Sequence, residues 1–220
     1  MDAFHRSNHA LADLIIFLQQ SYAERLPLIQ QRLREFSLVG QDREATFYEL
    51  CFCLCTPATR ARNALALVAA LQRNHFYHAP MPPAELERLL RMPSHYIRFH
   101  RTKAKRLALV HLIFDQVWEL CRSRKPVPQK RQEIMRIVTG FGMKEASHFL
   151  RNTGAGGIAV IDRHIVRWLQ RLGYPALLPQ RNRDYEQWEA VFIHLAQMLG
   201  IPVEALDLLC WSLETGEILR

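Results

Sequence analysis

Two glycines set one residue apart, Gly140 and Gly142, narrow the folds open to this chain more than any other feature, because apolar-periodic segments lie on both sides of them. The stretch from Val138 to Leu169 reads VTGFGMKEASHFLRNTGAGGIAVIDRHIVRWL. It closes one helix, turns through Gly140-Phe141-Gly142, opens a second helix at Met143-Lys144 and presents Asp162 at the head of a third. A tight turn needs positive φ and a close anion approach tolerates no Cβ, and glycine meets both demands. Phe141 can plug between the two helices. Amides at the start of the second helix point outward unpaired, and with the helix dipole they form an anion site.

Two helices joined in this way form a helix-hairpin-helix, a device for holding a nucleic-acid backbone. The plain alternative is an ordinary connection between helices. Charge placement bears on the choice. The formal charge is +8. Residues 1–90 carry nine basic and nine acidic side chains, residues 91–151 carry fourteen against four, and residues 152–220 carry six against eight. The excess therefore sits in the third that leads into the hairpin, as expected of a surface facing phosphates. A solvated basic face is the competing account.

With 220 residues, 49% of them apolar, the chain is long enough to bury a core. It shows no run of about 18 apolar residues and no apolar leader, so the expectation is a cytoplasmic protein without a membrane. Cys51, Cys53, Cys55, Cys121 and Cys210 are odd in number, and three fall in one apolar helical segment. That is core usage, with neither a disulfide framework nor a metal site expected.

Apolar residues recur at three and four from His9 to Gln20 and from Glu24 to Phe36, which predicts two amphipathic helices. Residues 43–55 are apolar nearly all round and predict a central buried helix. Thr56-Pro57 reads as a cap and first-turn proline for a helix through Gln72. Further helices are expected over 83–91, 103–121, 128–138, from Asp162 to Gly173, over 184–199 with Asp184 as cap, and from Pro202 to Gly216. No segment alternates as a strand does, so the fold is all-α. Between Ser94 and Leu107, aromatic Tyr96 and Phe99 interleave with Arg98, Arg101, Lys103, Lys105 and Arg106. Arg101, Lys103 and Lys105 are candidates to hold phosphates and Phe99 is the wedge candidate. Packing of the rings into the core is the other reading.

The chain uses twenty-four arginines and five lysines, and one lysine, Lys144, stands in the first turn of the second hairpin helix. Arginine holds phosphate equally well but does not lose its proton. The positive end of the helix dipole and burial in a pocket both disfavour a charged lysine there, and a neutral amine attacks carbon. Attack at C1′ of a deoxyribose displaces the base and leaves a Schiff base, from which the 3′-phosphate departs by β-elimination. An acid must stand near to take a proton or to stabilise oxocarbenium charge. Asp162 is the candidate, and capping its own helix is the plain role for it.

The runs GFGMKEASHFLRNTG and AVIDRHIVRWL, with FYELCFCLCTPATRARNAL, IRFHRTKAKRL and DLLCWSLETGEILR, resemble the helix-hairpin-helix DNA glycosylases, most specifically the type-2 8-oxoguanine DNA N-glycosylase/AP lyases. The resemblance covers nearly the whole chain from residue 40 on. It implies a two-lobed helical fold with a cleft between a lobe of residues 1–40 plus 155–220 and a central lobe of 41–154 that ends in the hairpin, 140–152. It implies Lys144 as Schiff-base nucleophile and Asp162 as its partner, acting on damaged double-stranded DNA in a nucleoid-associated monomer. No cofactor is required by it, a monovalent cation is expected at the Gly140–Gly142 turn, and the cysteines of the iron–sulfur cluster that many relatives carry are lacking. Base recognition falls by resemblance to Asp207, Trp211 and the terminal carboxylate of Arg220. Two positions depart from the family pattern, the terminal arginine in place of lysine and an alanine in TPATRA where glutamine is frequent. The remaining alternatives are a glycosylase for another damaged base and a non-catalytic DNA-binding protein.

Overall fold

A computed structural model describes the backbone of residues 2–218 and the side chains of residues 12–218. All regular structure among these residues is helical. The first helix, α1 (Asp2–Val39), runs without a break where the periodicity predicts two helices. Pro27 lies inside it. A proline leaves the carbonyl four residues earlier without its donor, but Pro27 and Ala23 are both exposed residues, where the loss costs less than in a core, and the helix continues.

The described residues divide into two compact units, one of residues 2–35 and 156–218, the other Phe36–Ala155. In the second unit α2 (Arg43–Cys55) is the axis. Asp42 caps it by accepting from Ala45 N at 2.8 Å, and every residue from Thr46 to Cys55 is buried. Around it pack α3 (Ala61–Arg73), α5 (His100–Ala108), α6 (Val110–Arg122) and α8 (Met143–Asn152), with α4 (Pro83–Leu90), a 3₁₀ turn (Pro93–His95) and α7 (Val127–Ile137) completing the unit. Burial on all sides pushes the thiols of Cys51, Cys53 and Cys55 up, that of Cys55 to about 12, so they stay protonated as core groups.

Two helix boundaries differ from expectation. Thr56 ends α2 instead of starting α3, and Thr59 N donates to Thr56 O at 2.9 Å to close a turn before α3 begins at Ala61. The helix expected over 103–121 is two, α5 and α6, because Leu109 N bonds three residues back, to Arg106 O at 3.1 Å.

The first unit holds α9 (Arg163–Arg171), α10 (Asn182–Leu199) and α11 (Val203–Thr215) with the first part of α1. Asp184 is not the cap of α10. It stands inside the first turn and accepts from Arg181 N at 3.1 Å. Phe17 of α1 stacks on Trp168 of α9, centroids 6.4 Å apart. Residues Ile158 to Ile161 are buried and non-helical, so their amides need side-chain acceptors. Glu189 accepts from Ala159 N at 3.3 Å, Asp207 from Val160 N at 2.8 Å and the Tyr185 hydroxyl from Ile161 N at 3.0 Å.

Glu49, wholly buried on α2, accepts from Asn152 Nδ2 at 2.7 Å and so ties α2 to the end of α8. Glu49→Ala strands the Asn152 amide in the core and is expected to lower stability by about 3 kcal/mol. Urea unfolding checks this, and Glu49→Gln, which keeps an acceptor oxygen, should lose less.

Candidate active site

The hairpin is α7, a turn and α8. Gly140 has φ +97°, a left-handed conformation that side chains rarely adopt, and Phe141 is buried and bonds back from its amide to Val138 O at 3.1 Å. Its ring meets Phe149 of α8 at 6.3 Å, which fixes the angle of the two helices. The α8 head is closed by Glu145, whose carboxylate accepts from Gly142 N at 3.3 Å.

The two glycines work differently. A Cβ on Gly140 would fall 2.2 Å from the Cζ of Arg106, so the guanidinium from α5 lies against the turn. On Gly142 a Cβ would meet only Glu145 Oε2 at 3.4 Å, an ordinary contact, and its φ of −103° suits any residue. Nothing within the unit therefore requires glycine at 142; its amide is taken by Glu145, and the amides of Met143 and Lys144 that follow it, which have no acceptor among the described residues, are the ones a phosphate could meet. Arg106 is the base that lies at the turn, and its place in the sequence does not set it apart from the other bases of the 98–106 stretch. Only the tertiary approach of α5 reveals it.

Lys144 is the second residue of α8, half-buried, and no hydrogen bond or ion pair engages it within its unit among the described residues. Arg101 is exposed and pairs with Glu87 at 3.4 Å, and Lys105 is exposed. Lys103 corrects the expectation of three phosphate-facing bases. It is 2% exposed, with Nζ donating to Cys55 O at 2.8 Å, Pro57 O at 2.7 Å and Thr59 Oγ1 at 3.0 Å. Helical periodicity gives the reason: Arg101 and Lys105 share a face and the residue midway between them points to the other. Phe99 is 61% exposed at the head of α5 in a left-handed conformation, φ +57°, with the Arg98 guanidinium 5.5 Å from its ring.

Asp162 belongs to the first unit and caps α9. Both cap bonds, from His164 N at 2.8 Å and Ile165 N at 3.1 Å, end on Oδ1. Its cap role leaves Oδ2 without a backbone donor among the described residues. His164 approaches Glu214 of α11 at 3.9 Å and the Trp211 ring at 6.4 Å, and Glu214 also receives Arg167 and Arg171. The head of α9 and the half-buried Trp211 are thus held together. Asp207 is buried, 2% exposed, and accepts from Val160 N at 2.8 Å, so it helps to hold the segment that leads to Asp162. Arg220 lies outside the described residues.

A family model described as 8-oxoguanine DNA glycosylase matches residues 29–201. An 8-oxoguanine DNA glycosylase/AP lyase of Methanocaldococcus jannaschii is 32% identical over 196 residues, 88% of this chain and 92% of that one. Among solved structures, the 8-oxoguanine DNA glycosylase of Thermotoga maritima matches with a TM-score of 0.85 at 28% identity, covering 96% of this chain and 100% of the other. The M. jannaschii 8-oxoguanine glycosylase/lyase in complex with a 15mer DNA containing 8-oxoguanine matches with a TM-score of 0.82 at 28% identity, covering 93% of this chain and 100% of that one.

The geometry separates the cap role of Asp162 from any chemical one. Asp162→Asn keeps a capping oxygen and should melt close to the parent, whereas Asp162→Ala should lose about 1 kcal/mol. Differential scanning calorimetry reads both. The glycines separate likewise: Gly140→Ala should destabilise the fold, while Gly142→Ala should melt near the parent and weaken duplex binding in fluorescence anisotropy.

Proposed function

The chain belongs to the 8-oxoguanine DNA glycosylase family, and from that premise we propose that it removes 8-oxoguanine from duplex DNA and then nicks the strand, as a bifunctional DNA N-glycosylase/AP lyase. The observation that carries the proposal is Lys144, an amine without a partner in its unit among the described residues, in the first turn of the hairpin's second helix and two residues beyond Gly142.

The hairpin amides and Arg106 hold a phosphate near the lesion, and exposed Arg101 and Lys105 add backbone contacts. Phe99 enters the stack as the damaged nucleotide is extruded. The Lys144 amine attacks C1′. The bond from C1′ to the base breaks, and the base leaves with the electron pair and takes up a proton. Opening of the sugar ring gives the Schiff base on Nζ. Loss of a proton from C2′ then drives out the 3′-phosphate, which cleaves the strand. We assign Asp162 to the proton taken from Lys144 and to the positive charge that develops on the sugar, through the oxygen its cap leaves over. Trp211 is assigned as a stacking surface for the extruded base.

The family resemblance also implies a monovalent cation at the hairpin turn. Backbone carbonyls are the hard oxygen donors such an ion takes. Those of Val138 and Gly142 accept from Phe141 N and Ala146 N, while those of Gly140 and Phe141 accept no backbone hydrogen bond among the described residues. The Gly140–Gly142 turn would hold the ion, which would supply positive charge beside the phosphate.

Borohydride should trap a covalent complex with a duplex that carries 8-oxoguanine. Lys144→Gln should fold normally and give no adduct, and trapping that persists in it removes Lys144 as the nucleophile. Lys144→Arg should bind the duplex and leave it uncut. Wild-type cutting by that variant would favour a DNA-binding protein without catalysis at this residue.

A further inference from the structure

The Lys103 side chain holds a turn that is otherwise hard to account for. Thr59 N closes on Thr56 O, Pro57 occupies the second position, and Ala58 at the third has φ +55°. Proline at the second position with left-handed φ at the third is a type II turn, which ordinarily takes glycine at the third. In the commoner type I turn the peptide between Pro57 and Ala58 is flipped, and the Pro57 carbonyl points the other way. Lys103 Nζ binds that carbonyl at 2.7 Å, so the lysine selects the strained form.

The same residue reaches the head of α5 through its backbone. Lys103 N donates to Phe99 O at 3.0 Å as the first bond of that helix. Phe99 is itself left-handed, which is rare for a bulky aromatic side chain. Asn63 Nδ2 makes a second tie, to Tyr96 O at 2.9 Å. Two strained, exposed residues, Ala58 and Phe99, thus stand on segments joined by one buried ammonium group. Its three donors meet three acceptors, none of them a carboxylate. A charged group buried on neutral acceptors is a costly way to fasten a loop, and apolar packing would fasten it at less cost.

We propose that Lys103 is a positioning residue that locks the Thr56–Thr59 turn to the head of α5 and so holds Phe99 outward for entry into an opened duplex. The inference rests on the reading of Phe99 as the wedge.

Protonation of Lys103 bears on the lock. Burial pulls the ammonium down to about 8. Cys55 of α2 and Glu145 of α8 favour its charge, and Arg106 of α5 and Arg98 just before α5 oppose it. Above about 8 the neutral amine has two donors for three acceptors. This does not unfold the chain. An unfolded lysine keeps its proton to about 10.5, so between these values the unfolded state binds more protons and proton linkage favours the fold as pH rises. The release is local to the turn.

The test uses the full chain as Lys144→Gln, so that chemistry does not intrude, with a duplex carrying 2-aminopurine beside 8-oxoguanine to report opening. The opening signal of Lys144→Gln should fall at least fivefold as pH rises from 7 to 9, with a midpoint near 8 and duplex alone as control. Adding Lys103→Met should give the low signal at pH 7, flat with pH, while duplex affinity stays within about threefold. Opening equal to that of Lys144→Gln in the Lys103→Met double variant overturns the proposal. Should that variant fail to fold, a flat profile in Lys144→Gln alone overturns it. Phe99→Ala in the same background separates the two readings. If it opens the duplex like its parent, the wedge reading fails and the proposal with it. If it loses opening while Lys103→Met does not, the positioning role alone fails.

Discussion

The hairpin depends on one hydrogen bond that no solvent reaches, from Asn152 at the end of α8 to Glu49 in the middle of α2. A buried carboxylate is tolerated only when its lone pairs are met, and here the Cys53 thiol, 3.7 Å away, also donates to Glu49. Beyond Asn152 the chain is pinned against α1. A Cβ on Gly40 would fall 2.1 Å from Thr153 O, and one on Gly154 would fall 2.9 Å from the Ser37 Cα, so backbone lies on backbone at both places. With its far end fixed there and its head closed by Glu145, the short helix α8 is a rigid mount for Lys144. For the nucleophile role proposed for Lys144 rigidity matters, because misplacing a nucleophile by an ångström costs a large factor in rate.

The same device recurs wherever the chain leaves helical geometry. Irregular backbone in a core needs partners that a helix supplies to itself. Lys103 supplies donors to the Cys55–Thr59 carbonyls and hydroxyl, and Glu189, Asp207 and Tyr185 supply acceptors to the amides of Ala159 to Ile161. Both held segments lead to positions that the proposed function uses, one to the turn beside the α5 head and the other to Asp162. Charged residues that composition assigns to the surface are therefore partly internal.

That explains what the sequence conveys and what it hides. Apolar periodicity reports which face of a helix is buried, so the central helix at 43–55, the hairpin between α7 and α8 and the all-helical class are legible in it. It does not report where a side chain finds a tertiary partner. The gap at residues 21–23 reads as a break because the burial of Ser21, a polar residue, is not visible along the chain. Thr56-Pro57 reads as a helix start because the acceptors it offers Lys103 are invisible until α5 is packed. The inward turn of Lys103 is legible in the sequence, since a helix cannot turn Arg101, Lys103 and Lys105 to one side. The approach of Arg106 to Gly140 had no such signal.

Arg106 also clarifies why a chain so rich in arginine keeps a lysine at position 144. A guanidinium stays charged throughout the pH range of life, so Arg106 supplies permanent positive charge at the turn where a phosphate would dock. On the proposed reading that role is filled from α5, which leaves the residue at the α8 head for chemistry. An amine forms a bond to carbon where a guanidinium does not, so the role proposed for position 144 is open to lysine and closed to arginine. The proposed mechanism thus divides two tasks between residue types: a fixed charge to hold the nucleic-acid backbone, and an amine to attack the sugar.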